Sequence, residues 1–305
     1  MAELQVWLDG EFVPEPEAKV SVFDHGILYG DGCFEGIKCW DGKVFKLKEH
    51  IERFYDSAHF LDIALVQSKE EIMDAVLRTV AVNDLHSGVC YIRLVATRGK
   101  GDLGINPRKC RNHPTVFCIV SSIQLYPEEM YARGLRCITC NTRRVSVQSL
   151  PGRVKSLNYL NNILAVIEVN RAGADEGIML THQGYVSECT ADNIFFAKHG
   201  VVKTPAPFLG ILEGITRNSV IEIARREGIK VEEGTYLTYD IYTADEVWLT
   251  GTGADLIPVV EVDNRVIGGG KPGKLFKLLR SKWMDYVHEP ANHSVVPAKE
   301  AVLAS

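Results

Sequence analysis

Strand-like and helix-like segments alternate along the first 122 residues of this chain, and that alternation restricts the folds it can adopt. A hairpin is predicted around Asp9-Gly10, and a further short strand is predicted after Asp41-Gly42. Apolar residues at spacings of three and four predict a helix from about Glu49, and Ser68 begins a capping box for a second helix. The apolar segments GVCYIRLVATRG and PTVFCIVSS are typical of buried strands.

The pattern changes after the polar, proline-containing segment QLYPEEMYARG. Beyond it we predict a strand, LRCITC, a strongly apolar helix that ends at Gly173, and a run of short strands from EGIMLT to VVKTP. A further helix, GITRNSVIEIARREG, precedes a strand and a hairpin that turns at Asp263-Asn264. Short strands mixed with helices in this way predict an α+β fold rather than one doubly wound sheet.

The change of pattern predicts two domains. The N-terminal α+β domain is expected to occupy residues 1–122, a linker residues 123–132, and the C-terminal domain residues 133–290. Residues 291–305 are expected to form a poorly ordered tail.

The composition of the chain excludes several classes of function. Its 305 residues carry a formal net charge of -5, which offers no general attraction for nucleic acid or for an anionic membrane. Its apolar runs are shorter than the ~18 residues of a membrane span, and its first residues, MAELQVWLDGEF, lack the pattern of a signal peptide. We therefore expect a cytoplasmic protein whose partners are small molecules.

The 8 cysteines are spread too thinly to be a disulfide framework. Cys137 and Cys140 form a C-x-x-C, but no second pair follows at the spacing of a zinc site. Both lie in a predicted strand, where an offset of three places the side chains on opposite faces. We expect reduced cysteines in the core and no metal ion.

One glycine-rich segment has the spacing of a dinucleotide-binding loop. Gly99 to Gly104 match G-x-G-x-x-G, a fingerprint that must open a helix. The residues that follow contain Pro107 and Pro114, which are incompatible with that helix. We interpret the segment as a loop.

A lysine in apolar surroundings is the first candidate for chemistry. Lys155 is flanked by Val154, Leu157 and Leu160 at the predicted start of the apolar helix. An amine in such a place loses solvation, which lowers its pKa and makes it a nucleophile toward an aldehyde. Taken alone, the local sequence still favours a lysine whose stem packs on the helix while its amine reaches water.

Three further features favour the chemical interpretation. Glu188 stands in an otherwise neutral strand, where a carboxylate needs a proton or a cation such as a protonated pyridine nitrogen. The helix after Gly214 offers backbone N–H groups and the positive end of its dipole to a phosphate. The turn at Thr252-Gly253 is a second anion-binding candidate. A lysine, a carboxylate and a phosphate cradle together describe a pyridoxal phosphate site.

Four motifs, VKSLNYLNN, GYVSECTADNIFF, GITR and TGTGADLIPV, occur in the order typical of class IV pyridoxal-phosphate aminotransferases, and the chain resembles that family over about residues 5–285. Within the family, YGDGCFEGIK from Tyr29 and YIR from Tyr91 are most similar to branched-chain aminotransferases. The resemblance implies fold type IV, a C-terminal domain built as an α/β pseudo-barrel, and a cofactor in the cleft between two domains.

The resemblance also implies which residues bind the cofactor, pyridoxal 5'-phosphate. Lys155 is expected to form the Schiff base and to carry the proton between substrate and cofactor. Glu188 is expected to keep the pyridine nitrogen protonated, and Tyr159 to hydrogen-bond the ring oxygen. The phosphate is expected to contact Arg53, Ile215, Thr216 and Thr252. Without the resemblance, Arg53 would be interpreted as a solvated charge on a helix face.

Substrate contacts follow from the same resemblance. The side-chain pocket of the family is lined by residues that match Tyr29, Phe34, Tyr91 and Arg93. The turn at Thr252-Gly253 is expected to take the α-carboxylate. We expect Arg93, held by Tyr29, to receive the side-chain carboxylate of glutamate and to leave the apolar walls to leucine or valine. Each of the three aromatic residues alone is also explained by core packing.

These roles imply a branched-chain aminotransferase, which transfers an amino group reversibly from L-leucine, L-isoleucine or L-valine to 2-oxoglutarate. At least a homodimer is implied, because in the family the loop that matches Gly99 to Pro107 contributes to the neighbouring subunit's site. Two alternatives remain. One is another class IV enzyme, such as a D-amino-acid or (R)-amine transaminase or aminodeoxychorismate lyase, and the other is a non-catalytic binding protein.

Overall fold

A computed structural model describes residues 3–85, 87–110, 113–122 and 126–303. The strands are β1 (Gln5–Leu8), β2 (Glu11–Pro14), β3 (Gly32–Trp40), β4 (Lys43–Phe45), β5 (Val89–Thr97), β6 (Val116–Ser121), β7 (Leu135–Thr139), β8 (Glu176–Leu180), β9 (Val186–Cys189), β10 (Asn193–Lys198), β11 (Val201–Pro205), β12 (Val231–Gly234), β13 (Glu246–Gly251), β14 (Asp255–Val262), β15 (Arg265–Val266) and β16 (His293–Val295). The α-helices are α1 (His25–Tyr29), α2 (Leu47–Phe60), α3 (Lys69–Val82), α4 (Glu128–Arg133), α5 (Leu160–Ala172), α6 (Ile215–Arg226), α7 (Thr238–Tyr242), α8 (Lys274–His288) and α9 (Lys299–Leu303). Short 3₁₀ helices span Glu15–Glu17, Pro107–Lys109, Pro207–Leu209 and Pro290–Asn292. This mixture of helices and sheets is the predicted α+β class.

The chain divides into two compact units. The first contains Met1–Ile123, Val154–Asn158 and Val287–Ser305, and the second contains Gln124–Arg153 and Tyr159–Tyr286. This division differs from the predicted one because the chain returns to the first unit twice.

The first return is made by the segment that carries Lys155. Ser156 forms an antiparallel bridge with Cys33, and the Leu157 N–H donates to the Gly32 carbonyl at 2.9 Å. The segment therefore extends the hydrogen bonding of β3, although we predicted it as part of the C-terminal domain. Pairing between residues so distant in sequence leaves no local hydrophobic signature.

The second return is made by the end of the chain, where we predicted a poorly ordered tail. His293–Val295 form β16 and pair with β4, with Ser294 opposite Val44. Backbone pairing at a sheet edge orders these residues in spite of their mixed polarity. Residues 304–305 of the tail and 123–125 of the predicted linker lie outside the described residues, while the linker's Glu128–Arg133 form α4.

The described part of the first unit contains a seven-stranded antiparallel sheet in the order β16-β4-β3-β5-β6-β1-β2. Alternation along β3 places Ile37 and Cys39 in the core with residues of α2 and α3, such as Phe54 and Ile72. Phe34 lies on the other face of the strand, so α2 and α3 cover one face of this sheet.

The sequence signals for helices in this unit are confirmed. The capping box of α3 is present, since Ser68 Oγ accepts from the Glu71 N–H at 3.2 Å and Glu71 Oε2 accepts from the Ser68 N–H at 2.6 Å. α2 begins at Leu47, two residues before the predicted start at Glu49, and buries Ile51 and Phe54.

The described part of the second unit contains a mixed sheet in the order β12-β11-β10-β13-β14-β7-β8-β9, with β15 paired to β14. Its parallel pairs are β11 with β12, β14 with β7, and β7 with β8. Gly173 ends α5 in the left-handed conformation, with φ +63°, as predicted from a terminal glycine.

The C-x-x-C residues pack in two separate apolar clusters. Cys137 lies with Leu135 and Ile178, whereas Cys140 lies with Ala165 and Val169. Both are free thiols, and burial raises the pKa of Cys140 to about 12. Each cysteine therefore serves as a core residue. Among the described helices, none has the length and apolar character to cross a bilayer.

Candidate active site

The backbone of Lys155 is fixed on both sides of the residue. Its N–H donates to Ser57 Oγ of α2 at 3.2 Å, and its carbonyl accepts from the Phe34 N–H of β3 at 2.9 Å. Its Nζ lies 4.7 Å from the centre of the Phe34 ring. Lys155 precedes the apolar helix rather than opening it, since α5 begins only at Leu160. Sheet and helix together thus hold the lysine beside an aromatic face.

Arg53 lies on α2 and is paired with a buried carboxylate that sequence reasoning did not single out. Arg53 Nε donates to Glu35 Oε1 at 2.7 Å, and Arg53 Nη2 donates to Glu35 Oε2 at 2.8 Å. His50 Nδ1 lies 2.7 Å from the same Oε2. The Arg53 side chain is 15% exposed and that of Glu35 is completely buried. Arg53 is therefore a fixed, half-buried cation and not the solvated charge that its helix position alone suggests.

The electrostatics of this cluster favour an ionised Glu35. Burial raises the pKa of Glu35, but the charges of Arg53 and His50 and their hydrogen bonds outweigh it and hold that pKa well below its ordinary value. Burial lowers the pKa of His50, against the opposing effect of Glu35. Glu35 is therefore an ionised acceptor, and because a carboxylate cannot donate, the His50 Nδ1 that faces it carries the hydrogen and donates. A glutamate inside the apolar strand β3 was the signal that could have revealed this cluster.

Three of the predicted substrate residues meet on the other face of the first sheet. Arg93 Cζ lies 4.6 Å from the centre of the Phe34 ring, and Arg93 Nη2 donates to the Tyr91 hydroxyl at 3.1 Å. Gly36 stands directly opposite Arg93, where an added Cβ would lie 1.9 Å from that hydroxyl. The missing side chain at Gly36 therefore makes room for the Tyr91 hydroxyl beside Arg93.

Tyr29 does not hydrogen-bond to Arg93, contrary to the prediction. It is the last residue of α1, it is 37% exposed, and its hydroxyl accepts from the Gly104 N–H at 2.7 Å. Its ring contacts His25 edge-on at 4.9 Å. Tyr91 takes the predicted place of Tyr29 because it lies two residues from Arg93, on the same face of β5. The segment from Gly99 that supplies Gly104 is a loop, as interpreted from its prolines.

Glu188 is buried in β9 and accepts hydrogen bonds from three donors. Arg144 Nη2 lies 2.8 Å from its Oε1, and Asn193 Nδ2 and the Leu212 N–H donate to its Oε2 at 3.0 and 2.9 Å. Arg144 was not predicted, and it supplies within the chain the cation that we expected from a ligand. The ion pair and the two added donors offset the cost of burying the Glu188 carboxylate.

Asn193 links Glu188 to the start of α6. Besides the bond to Glu188, its Nδ2 donates to the Leu212 carbonyl at 2.9 Å. Gly214 occupies the N-cap of α6, and a Cβ there would lie 2.2 Å from Asn193 Oδ1. Because Gly214 has no side chain to cap the helix, the N–H groups of its first turn, which holds Ile215 and the buried Thr216, suit an anion.

The turn that carries Thr252 and Gly253 joins β13 to β14 in the same unit. Asn193 of β10 stands opposite Thr250 of β13, so this turn and the start of α6 lie near one end of neighbouring strands. A Cβ at Gly251 would lie 1.8 Å from Asp192 Oδ1, so the chain is close-packed where the turn begins. Within the second unit, the predicted carboxylate and both predicted anion sites are therefore connected through Asn193. Tyr159, the remaining predicted residue, is half-buried and immediately precedes α5.

The chain is similar to known aminotransferases in both sequence and structure. The family described as amino-transferase class IV matches residues 32–262. A Methanocaldococcus jannaschii relative, provisionally named a branched-chain-amino-acid aminotransferase, is 52% identical over 282 residues, which are 92% of this chain and 96% of the relative.

Two solved structures share the fold over nearly the whole chain. The branched-chain amino acid aminotransferase of Escherichia coli matches with a TM-score of 0.93 at 31% identity, covering 97% of this chain and 100% of that chain. The branched-chain aminotransferase of the thermophilic archaeon Thermoproteus uzoniensis, solved with norvaline, matches with a TM-score of 0.90 at 33% identity and the same coverage. With its fold, its motifs and these likenesses in agreement, the chain belongs to amino-transferase class IV.

Proposed function

We propose that the protein is a branched-chain aminotransferase that transfers an amino group reversibly between L-leucine, L-isoleucine or L-valine and 2-oxoglutarate. The observation that carries this proposal is the Arg93 guanidinium, held by the Tyr91 hydroxyl and packed on the Phe34 ring. Such an enzyme must accept both a charged and an apolar side chain in one pocket. A fixed cation among aromatic walls supports both, because glutamate finds a charge partner and leucine finds apolar surface.

The residues of the chain fit pyridoxal 5'-phosphate as the cofactor. The open first turn of α6 and the cationic Arg53 suit a phosphate, and the buried Glu188 carboxylate suits a protonated pyridine. When bound, the cofactor supplies an electron sink for the substrate carbon that loses its proton. We propose that the cofactor is held by Arg53, Lys155, Tyr159, Glu188, Ile215, Thr216 and Thr252.

Different residues serve the separate parts of the proposed reaction. Lys155 Nζ would bind the cofactor and would then carry the proton from the substrate Cα to the cofactor C4', acting first as general base and then as general acid. Its fixed backbone and the Phe34 face hold the amine in place. Glu188 would hold a proton at the pyridine nitrogen, and Arg144 pairs with the Glu188 carboxylate within the chain. The Thr252-Gly253 turn is proposed to bind the α-carboxylate.

We also propose that the protein works as a homodimer in the cytoplasm. The loop after Gly99 exposes Leu103 (63%) and Ile105 (84%), and large apolar side chains this exposed suit a protein interface. The 8 free cysteines suit a reducing compartment.

A donor panel tests the proposed function. The protein is supplied with pyridoxal 5'-phosphate and 2-oxoglutarate and is then offered L-leucine, L-isoleucine, L-valine, D-amino acids and (R)-phenylethylamine. We expect turnover with the branched-chain L-amino acids. Preference for D-amino acids or the (R)-amine would identify a different class IV enzyme. Protein that shows no cofactor absorbance band and no turnover would instead be a non-catalytic binding protein.

Arg93→Met tests how the pocket distinguishes its two substrates. Methionine keeps much of the length and apolar character but loses the charge. KM for glutamate and 2-oxoglutarate is expected to rise about ten- to a hundredfold, the worth of a charge-assisted hydrogen-bonded pair. Leucine should be affected much less, because it makes no ionic contact there. Single-turnover absorbance traces follow each half-reaction separately.

Arg78→Met is the matched control, because Arg78 also packs on an aromatic ring, that of Phe12 at 5.6 Å, but lies on α3. It should leave both half-reactions unchanged. If Arg93→Met slows leucine and glutamate equally, Arg93 supports the fold and does not distinguish the substrates.

A further inference from the structure

Glu35 has no role in the mechanism described so far, yet it is a completely buried carboxylate. It follows Phe34 in β3 and therefore points to the opposite face, toward α2. There it accepts two hydrogen bonds from Arg53 and one from His50. Burying a charge of this kind is costly, and these three hydrogen bonds keep the carboxylate ionised.

We propose that Glu35 is a positioning residue that fixes the Arg53 guanidinium to bind the phosphate of the cofactor. This inference rests on the proposed function, since the cofactor brings the phosphate. Two parallel bonds from Nε and Nη2 to the two carboxylate oxygens set the plane of the guanidinium and not merely its distance. An arginine held in this way has lost its rotamer freedom on folding and need not lose it on binding.

His50 completes the arrangement. Its Nδ1–H donates to Glu35 Oε2, the same oxygen that accepts from Arg53 Nη2, and so restricts rotation of the carboxylate. His50, Arg53 and Ser57 recur at spacings of three and four, so all three lie on one face of α2. Ser57 Oγ accepts from the Lys155 N–H. One helix face thus carries the arginine, its positioning partner and an anchor for the lysine.

A carboxylate that only neutralised Arg53 would stabilise the fold without favouring one ligand over another. A positioning residue has a selective effect, because it matters only to a ligand that carries a phosphate. Pyridoxal lacks the phosphate of pyridoxal 5'-phosphate and keeps the rest of the molecule. The ratio of the two affinities therefore isolates the role of Glu35.

The experiment titrates the full-length protein, freed of cofactor, with pyridoxal 5'-phosphate and with pyridoxal, and follows absorbance. For Glu35→Gln we expect affinity for pyridoxal 5'-phosphate to fall about ten- to a hundredfold, as when a charged hydrogen-bonding partner is lost, with affinity for pyridoxal nearly unchanged. Glu35→Asp, which keeps the charge but shortens the side chain, should show a smaller loss of the same selectivity. Glu52→Gln, on the exposed face of α2, is the matched control and should alter neither affinity.

A double substitution tests whether Glu35 acts through Arg53. Arg53→Met should lower affinity for pyridoxal 5'-phosphate, and adding Glu35→Gln to it should cause no further loss. If Glu35→Gln loses affinity for both ligands equally, Glu35 is a structural residue and the proposal is overturned. If Glu35→Gln does not fold, the same comparison is made with Glu35→Asp. Unchanged affinity of the variant for pyridoxal 5'-phosphate would also overturn the proposal. Wild-type protein that binds neither ligand would refute the proposed function itself, an outcome distinct from both.

Discussion

Lys155→Ala is expected to lower the transamination rate by about 10⁴-fold, because it removes both the amine that binds the cofactor and the carrier of the substrate proton. The hydrogen bonds of residue 155 to Ser57 and Phe34 use backbone atoms, which alanine keeps. The variant should therefore fold normally and lose chemistry alone. Steady-state rates with leucine and 2-oxoglutarate measure the loss, and thermal unfolding checks the fold.

Borohydride treatment of the cofactor-loaded wild-type protein identifies the lysine directly. The label should become permanent on the peptide that contains Lys155, and Lys155→Ala should remain unlabelled. Lys48→Ala, an exposed lysine of α2, is the control and should behave as wild type. A label on another lysine, or nearly full activity in Lys155→Ala, would contradict the assignment.

The sequence correctly predicted helices and hairpins whose ends depend on turn or cap residues that lie close by in the chain. The hairpin at Asp9-Gly10 forms between β1 and β2, and Ser68 caps α3. The turn of the last hairpin contains Asp263 and Asn264, both with positive φ. In each case a turn or cap residue acts on a backbone only a few positions away, so its effect is visible in a short stretch of sequence.

The parts that sequence reasoning missed depend on pairing across long separations. Lys155 was expected at a helix start, but its neighbour Ser156 pairs with Cys33 of β3. Glu35 and Arg144 were not singled out, because each is explained by a partner distant in sequence, Arg53 for the first and Glu188 for the second. Such contacts are fixed by tertiary packing and have no signature in local periodicity.

Glu188→Gln is expected to retain the cofactor but to lower the rate about 10²- to 10³-fold, which corresponds to roughly 3–4 kcal/mol of transition-state stabilisation. Phosphate binding and the amine of Lys155 are untouched, so binding should persist. A neutral amide cannot hold a proton at the pyridine nitrogen, and the electron sink is weakened. The amide also turns an N–H donor toward a site where Arg144, Asn193 and the Leu212 N–H already donate.

Glu176→Gln provides the matched control for Glu188→Gln. Glu176 is also a buried carboxylate of the second unit, but its Oε1 accepts from the Thr190 hydroxyl at 2.6 Å and from the Gly177 N–H at 2.7 Å, which are structural contacts. Its replacement should lower the unfolding temperature while leaving the bound cofactor's absorbance and the rate per folded molecule unchanged. If Glu188→Gln behaves in the same way, Glu188 is a structural carboxylate paired with Arg144. A loss of rate per folded molecule at unchanged cofactor content distinguishes the residue that acts on the cofactor ring from one that only stabilises the sheet.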